Sequence, residues 1–154
     1  MDSAQDQPEA LAAEVAAGLE RLIRLFRWLS PPSGLSLTSA ATLTTLERGG
    51  PRRLTALAAR EGVTQPAMTQ LVARLQDAGL VDRVADAADG RVVYVRITAE
   101  GQAVLARRRA VRAERVAALL TRLSPDQQAA LVAALPAMDA LASAQRDDPL
   151  VGQA

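Results

Sequence analysis

The 154-residue sequence predicts a mostly helical α+β fold, in which six helices are interrupted by one β-hairpin. Apolar residues recur every three or four positions along most of the chain, which is the period of an amphipathic helix. Two short apolar stretches, Leu80–Ala85 and Val92–Ile97, depart from this period, and the second alternates as a β-strand does. Asp89 and Gly90 lie between them and favour a tight turn, so the two stretches are predicted to pair as a hairpin.

Capping and helix-breaking residues divide the rest of the chain into helices. Thr38, Thr64 and Thr98 stand where helices are expected to begin, since a threonine hydroxyl can accept a hydrogen bond from a free backbone N–H. Ser124 and Gln127 have the spacing of a capping box at the start of the last helix. The predicted helices cover 8–29, 38–48, 54–61, 64–78, 98–123 and, with a bend near Pro136, 124–145.

The composition excludes several functional classes. The chain has no cysteine and no histidine, so it lacks disulfides, thiolate nucleophiles, imidazole bases and the usual zinc or haem ligands. It also has no glycine-rich phosphate loop and no evident carboxylate pair, so we expect neither an enzyme nor a cofactor or metal site. No apolar run approaches the roughly 20 residues that span a bilayer. With an acidic start unlike a signal peptide, the sequence predicts a cytoplasmic protein without a membrane partner.

The net charge of +1 conceals an uneven distribution. Residues 1–20 carry five acidic residues and no arginine, whereas residues 92–122 carry seven arginines against two glutamates. A basic middle with acidic ends is typical of a polyanion-binding body with dimerising or solvated termini. One arginine cluster within the basic part has two interpretations. It is either a surface that binds a polyanion such as DNA, or a solvated or interhelical face that pairs with the acidic termini. The cluster consists of Arg107, Arg108, Arg109, Arg112 and Arg115.

Two helices joined by a tight glycine-containing turn and followed by a hairpin describe a winged helix-turn-helix. Helical spacing predicts that one face of the second helix, residues 64–78, packs against the preceding helix. The predicted buried face is Ala67, Leu71, Leu75 and Ala78, and the predicted exposed face is Gln65, Pro66, Thr69, Gln70 and Ala73. The exposed face is short, uncharged and able to hydrogen-bond, which suits a DNA major groove. Alternatively, its polar side chains are ordinary surface residues.

Two further residues of this helix are candidates for contact with DNA phosphates. Thr64 stands at the helix N-terminus, where free N–H groups and the helix dipole favour an anion. Arg74 lies on the flank of the exposed face, where it either meets the DNA backbone or pairs with Asp77.

The hairpin supplies two more candidate cations. Arg83 follows the predicted helix 64–78 at the start of the hairpin. Its side chain either contacts phosphate or pairs with Asp86 or Asp89. Arg91 lies at the predicted tip, where its long side chain can enter a minor groove, and narrow A·T tracts concentrate negative potential there. Arg91 is therefore predicted to be a DNA contact.

The segment that contains these residues resembles the MarR (multiple antibiotic resistance regulator) family, closely over about residues 54–101. The motifs that carry the resemblance are Leu57-Ala58, Val63-Thr64, Leu71, Leu75, Gly79-Leu80-Val81-x-Arg83, Asp89-x-Arg91 and Ile97-Thr98-x-x-Gly101. The resemblance implies that Asp89 orients Arg91 rather than touching DNA. Family members usually have a basic residue where this chain has Gly90, which implies a tighter turn and a weaker wing contact.

The resemblance also implies a function. A single MarR-like domain, residues 1–154, would contain a DNA-binding lobe at 37–101 and dimerisation helices at 8–29 and 102–145. A twofold homodimer would bind a pseudo-palindromic operator in double-stranded DNA and repress a neighbouring gene, with relief by a small aromatic or phenolic effector. The alternatives are a monomeric helical bundle and a winged-helix module that binds only proteins.

The first helix offers a candidate effector site. Phe26 and Trp28, with the nearby Arg24, would suit an apolar anion, and the alternative is that both rings pack in the core. The absence of cysteine excludes the thiol-oxidation switch that some family members use.

Overall fold

The fold was described from a computed structural model, which describes residues 3–30, 34–85 and 92–147. It confirms the predicted order of helices and hairpin strands and adds one short strand. The elements are α1 (Ser3–Leu29), α2 (Leu37–Gly49), β1 (Arg52–Arg53), α3 (Leu54–Glu61), α4 (Gln65–Asp77), β2 (Val81–Ala85), β3 (Val93–Ile97), α5 (Ala99–Leu120) and α6 (Pro125–Asp147).

Helix starts follow the predicted capping residues with one exception. Thr64 and Thr98 cap α4 and α5, and Ser124 and Gln127 form the predicted capping box of α6. The prediction that Thr38 caps α2 is wrong. Ser36 caps this helix instead, because its backbone is extended and its hydroxyl accepts the N–H of Ser39 at 3.0 Å, which places Thr38 inside the first turn.

The predictions for the two terminal helices have different outcomes. The prediction that α1 begins at Pro8 is wrong: the helix begins at Ser3, so Pro8 lies in its second turn, where its missing N–H leaves one backbone hydrogen bond unmade. α6 runs without a break through Pro136, so the predicted bend at that residue stays a prediction. Among the helices of the described residues, none combines the length and apolar character needed to cross a bilayer.

The three strands form one antiparallel sheet in the order β1-β3-β2. β2 and β3 make the predicted hairpin, with pairs from Val81 opposite Ile97 to Ala85 opposite Val93. The residues at its tip, 86–91, lie outside the described residues. β1 pairs with the other edge of β3, and the sequence analysis missed it because two residues cannot display an alternating pattern.

The hydrophobic core lies between α2, α3, α4, the sheet and the first turns of α5. Its members are Leu43, Leu46, Leu57, Ala58, Met68, Leu71, Val72, Leu75, Leu80, Val81, Val95, Ile97 and Leu105. None of the described residues of α1 or α6 belongs to this cluster. The chain therefore has a packed lobe, which consists of α2, α3, α4, the sheet and the first turns of α5, and two terminal helices whose described residues lie outside its core.

The terminal helices carry exposed apolar faces. In α1 the exposed large apolar side chains are Leu11, Val15, Leu19, Leu22, Ile23, Leu25, Phe26 and Trp28, and in α6 they are Leu131, Val132, Leu135, Met138 and Leu141. Exposed apolar side chains in such numbers on two helices are compatible with a surface that a partner covers.

Candidate nucleic-acid interface

A tight turn connects α3 to α4. The backbone N–H of Val63 donates to the carbonyl oxygen of Ala58 at 3.1 Å, which closes the end of α3. Thr64 follows at once, and its hydroxyl accepts the N–H of Ala67 at 3.4 Å. Only residues 62–64 separate the two helices, so α3 fixes the direction in which α4 leaves the turn.

The buried face of α4 differs from the predicted one. Met68, Leu71, Val72 and Leu75 are buried, whereas Ala67 and Ala78 are exposed. The prediction identified the two leucines but was wrong about both alanines. The helix is rotated so that methionine and valine face the core, because these larger side chains remove more apolar surface from water than alanine does.

The predicted exposed face of α4 is exposed. Gln65, Pro66, Thr69 and Gln70 all lie at the surface, while Ala73 is half-buried. The Thr69 hydroxyl donates to the carbonyl oxygen of Gln65 at 2.9 Å, which leaves its oxygen lone pairs as acceptors. The two glutamine amides supply both donors and acceptors, so the face offers hydrogen-bonding groups of both kinds without a charge.

Arg74 and Arg83 flank this face and are exposed. Among the residues that the structure describes, neither guanidinium forms an ion pair, so the alternative pairing of Arg74 with Asp77 is absent. Asp86, the proposed alternative partner of Arg83, lies outside the described residues, as do Asp89, Gly90 and Arg91. Within the part of the chain that the structure describes, neither cation beside α4 has an acidic partner.

The outer side of the sheet carries paired charges. Arg96 of β3 donates two hydrogen bonds to the Asp82 carboxylate of β2, at 2.7 and 3.1 Å. The bond from Arg96 lowers the pKa of Asp82 below its ordinary value, and the same bond raises the pKa of Arg96. Arg53 of β1 lies over the Tyr94 ring, 5.8 Å from its centroid. The ion pair therefore joins β2 to β3, and the arginine–ring contact joins β1 to β3, in addition to the backbone hydrogen bonds of the sheet.

Comparison with known proteins identifies the family. A sequence model of the MarR family matches residues 33–92. The chain is 36% identical over 136 residues to an uncharacterised HTH-type transcriptional regulator of Mycobacterium bovis, which covers 88% of this chain and 95% of that protein. The chain belongs to the MarR family. It is therefore a DNA-binding transcriptional regulator with a winged helix-turn-helix.

Three other similar proteins extend the comparison. The HTH-type transcriptional repressor Rv2887 of Mycobacterium tuberculosis is 35% identical over 97 residues, which cover 63% of this chain and 70% of that protein. The crystal structure of RV1404 from M. tuberculosis superposes with a TM-score of 0.77 at 25% identity, over 86% of this chain and 94% of that one. PcaV of Streptomyces coelicolor, solved in complex with its natural ligand, has a TM-score of 0.54 at 26% identity, over 84% and 92%.

In this MarR-family chain the arginine cluster of α5 is an interhelical face. Arg109 donates to Glu47 of α2 at 3.1 Å, and Arg107 donates to Glu100 of its own helix at 2.7 Å. The bond from Arg109 lowers the pKa of Glu47 and raises the pKa of Arg109 itself. These contacts agree with the interpretation as a solvated or interhelical face, since Arg107 is exposed and Arg109 reaches α2, but the two arginines pair with Glu100 and Glu47 and not with the acidic termini.

The other arginines of the cluster lie between α5 and its neighbours. Arg115 donates to the carbonyl oxygens of Trp28 and Leu29 at 3.0 and 3.3 Å, so it satisfies orphan carbonyls at the C-terminus of α1. Arg108 is buried, and burial, followed by the nearby charge of Arg112, lowers the pKa of its guanidinium.

The candidate effector residues are exposed in the single chain. Phe26 is 40% exposed and Trp28 is 63% exposed, so neither ring packs in the core. Arg112 of α5 stacks on Phe26, with its guanidinium carbon 4.2 Å from the ring centroid. The sequence analysis placed Arg24 beside the rings, and Arg24 is exposed, but it missed Arg112 because the two helices are far apart along the chain. No group of acidic residues in the described ranges could hold a metal ion.

Proposed function

We propose that this MarR-family regulator is a homodimeric, sequence-specific repressor that binds double-stranded DNA in the cytoplasm and releases it when a small ligand binds. The observation that carries the proposal is the exposed, uncharged and hydrogen-bonding face of α4, with two exposed arginines that have no ion-pair partner among the described residues. A protein-binding face would instead normally present a large apolar or aromatic anchor at its centre.

The face of α4 suits direct contact with bases in the major groove. Gln65 and Gln70 can each donate and accept toward an adenine edge, and Thr69 can contact a thymine methyl group. Pro66 adds a short rigid surface in the first turn. Thr64 marks the helix N-terminus, where free backbone N–H groups favour a phosphate.

Arginines around this face would contact the DNA backbone and the adjacent minor groove. Arg74 and Arg83 are exposed beside α4 and fit phosphate contacts. Arg91 follows the hairpin turn and would enter the minor groove, with Asp89 orienting its side chain. Under this proposal the DNA-binding lobe is residues 37–101.

Dimerisation would cover the apolar faces of α1 and α6. The dimerisation helices would be residues 8–29 and 102–145, and a twofold axis between them would pair two identical lobes. Two α4 helices would then enter successive major grooves, about 10 base pairs apart, on a pseudo-palindromic operator. A dimer on a promoter would block transcription of a neighbouring gene.

The proposed effector is a small aromatic or phenolic anion. Phe26 and Trp28 offer exposed rings, and Arg24 and Arg112 offer cations near the end of α1. The solved structure of PcaV with its natural ligand and the repressor named among the relatives support ligand-controlled repression. Binding between α1 and α5 would change how the terminal helices meet the lobe.

Selection of binding sites from random duplex DNA tests the proposal. The wild-type protein should enrich a palindrome, and Gln70→Ala should relax the preference at one base position per half-site and weaken binding by about 1–3 kcal/mol. Arg91→Ala should weaken binding by a similar amount, about 1–3 kcal/mol, in fluorescence anisotropy at fixed salt.

A charge-matched control separates site contacts from general electrostatics. Arg122 is exposed in the turn after α5, so Arg122→Ala should leave affinity and sequence preference unchanged. Failure of the wild-type protein to enrich any sequence, or an unaltered preference in Gln70→Ala, would contradict the proposal.

A further inference from the structure

The end of α4 and the start of α5 meet at one tight junction, which we name the α4–α5 clamp and define as Gly79, Leu80, Thr98 and Gly101. The Thr98 hydroxyl donates to the carbonyl oxygen of Gly79 at 2.7 Å, and the Thr98 N–H donates to that of Leu80 at 3.1 Å. The same hydroxyl accepts the N–H of Gly101 at 3.1 Å. One threonine thus caps α5 and holds the segment that leaves α4.

On its other side the clamp continues into α4. The N–H of Leu80 donates to the carbonyl oxygen of Leu75, and that of Gly79 to Gln76, both at 2.9 Å. Gly79 has a φ of +71°, which glycine adopts without strain and which lets the chain turn back over the helix end. An unbroken set of hydrogen bonds therefore joins the last turn of α4 to the first turn of α5.

Gly101 sets how closely the first turn of α5 approaches the Leu80 backbone that follows α4. A Cβ atom at this position would lie 2.3 Å from the carbonyl oxygen of Leu80 and 2.8 Å from Cγ1 of Ile97. The nearest atom belongs to the backbone, so a side chain there cannot be accommodated by a change of rotamer. An alanine would require α5 to move away by about 1 Å, because packed interiors leave no room for an extra methyl group.

Such a movement has a natural pivot. Arg109 ties α5 to Glu47 of the lobe at 3.1 Å. It lies eight residues beyond Gly101, or about 12 Å along a helix. A shift of about 1 Å at Gly101 then tilts α5 by roughly 5° about this ion pair. The part of α5 beyond the pivot carries α1 through Arg112 and Arg115, so α1 would tilt with it.

From these contacts we infer that the α4–α5 clamp positions the two recognition helices of the dimer and so sets the half-site spacing that the operator must have. The inference rests on the proposed dimeric DNA-binding function. A tilt of roughly 5° moves the end of α5, about 17 Å past the pivot, by about 1.5 Å. Twofold symmetry doubles this to about 3 Å, which is close to the rise of about 3.4 Å per base pair.

Gly101→Ala tests the inference on three kinds of DNA: the palindrome that wild type selects, the same palindrome with one base pair added or removed at its centre, and a single half-site. We expect the variant to bind the selected palindrome at least about tenfold more weakly, because its two lobes no longer engage together. Its preferred spacer should differ from that of wild type, while single half-site affinity stays within about twofold.

Thr98 provides a second pair of variants in case Gly101→Ala does not fold. Thr98→Val removes the hydroxyl at nearly constant shape and should change the spacer preference, whereas Thr98→Ser keeps the hydroxyl and should restore it. Ser36→Ala is the matched control, since it removes the N-cap of α2, which is not part of the clamp or of the proposed dimerisation helices, and it should not change the spacer preference.

Each outcome decides the inference. Wild-type spacer preference in folded Gly101→Ala and Thr98→Val would overturn it. Equal losses on the half-site and on the palindrome would also overturn it, because they would mean that the clamp only keeps α4 folded. A wild-type protein that binds no duplex refutes the proposed function itself, and this result is obtained before any variant is measured.

Discussion

The lobe and the terminal helices differ in the burial of their large apolar side chains. Leu57 and Met68 of the lobe are completely buried, whereas Leu11 of α1 and Val132 of α6 are 63% and 67% exposed. Full burial of such a side chain is worth about 1.5–3 kcal/mol, so the lobe draws its stability from contacts within one chain. The exposed apolar side chains of the terminal helices do not contribute this burial free energy within one chain. In the proposed dimer a second copy would cover these faces.

Arginines join the two regions where apolar contacts do not. Arg109 reaches Glu47 in the lobe, and Arg115 reaches the last carbonyls of α1. α5 therefore belongs to the core at Leu105 and to the terminal helices further on. These links and the packing of Leu105 place α5 between the lobe and the proposed dimerisation helices.

Truncating the lobe core should have the largest effect on folding. Leu57→Ala removes a side chain with no exposed surface and should lower the free energy of unfolding by about 2–5 kcal/mol. Urea unfolding followed by circular dichroism measures this loss. Leu11→Ala serves as the matched control, and a comparable loss for that variant at the lowest protein concentrations would break the contrast between the two regions.

A charge on an exposed terminal face should break the dimer without unfolding the lobe. Leu131→Asp should raise the dimer dissociation constant at least about 100-fold, or about 2.7 kcal/mol, because the carboxylate would be buried without a partner. Sedimentation velocity across a concentration series measures the constant. Val93→Asp, at a 46% exposed valine of the hairpin, should leave it unchanged. A monomeric wild-type protein at every concentration would refute the assignment of these faces.

Acid should weaken the link between α5 and the lobe by a smaller amount. The pKa of Glu47 is lowered by its bond from Arg109, so the native state favours the ionised carboxyl. The resulting stability is present above the ordinary pKa of a glutamate and is lost as the pH falls through the lowered value. Because the pair is partly exposed, the contribution should be at most about 1 kcal/mol.

Comparison of stability with pH in wild type and Glu47→Gln isolates this contribution. The difference between the two proteins should shrink as the solution becomes acidic, since the wild-type carboxyl is then neutral as well. A difference that grows on acidification would have the opposite sign from that expected for a lowered pKa and would refute the role of the ion pair.

Many helix starts could be predicted because they depend on residues within about four positions of each other along the chain. Thr64, Thr98 and Ser124 cap helices as expected because a cap depends on the next turn alone. Where two residues were both suited to a cap or to a buried position, local sequence alone did not identify which one the fold uses. Ser36 took the place of Thr38, and the core selected Met68 in place of Ala67, since packing depends on the whole lobe and not on one helix.

Contacts between distant segments could not be predicted from local pattern. β1 exists only because β3 provides a partner strand, and the Arg112–Phe26 stack depends on how α5 crosses α1. The exposed face of α4 was predictable because uncharged polar side chains at helical spacing already mark it in the sequence. The sequence also indicated that the arginine cluster of α5 could form a solvated or interhelical face. It did not indicate which residues these arginines contact.

A methylation-protection footprint of the wild-type protein on its selected operator tests most directly whether α4 is the DNA-binding element of a twofold dimer. The account predicts two protected patches of major-groove atoms on one face of the duplex, with centres about 10 base pairs apart. A single patch, or uniform protection without that periodicity, would contradict it.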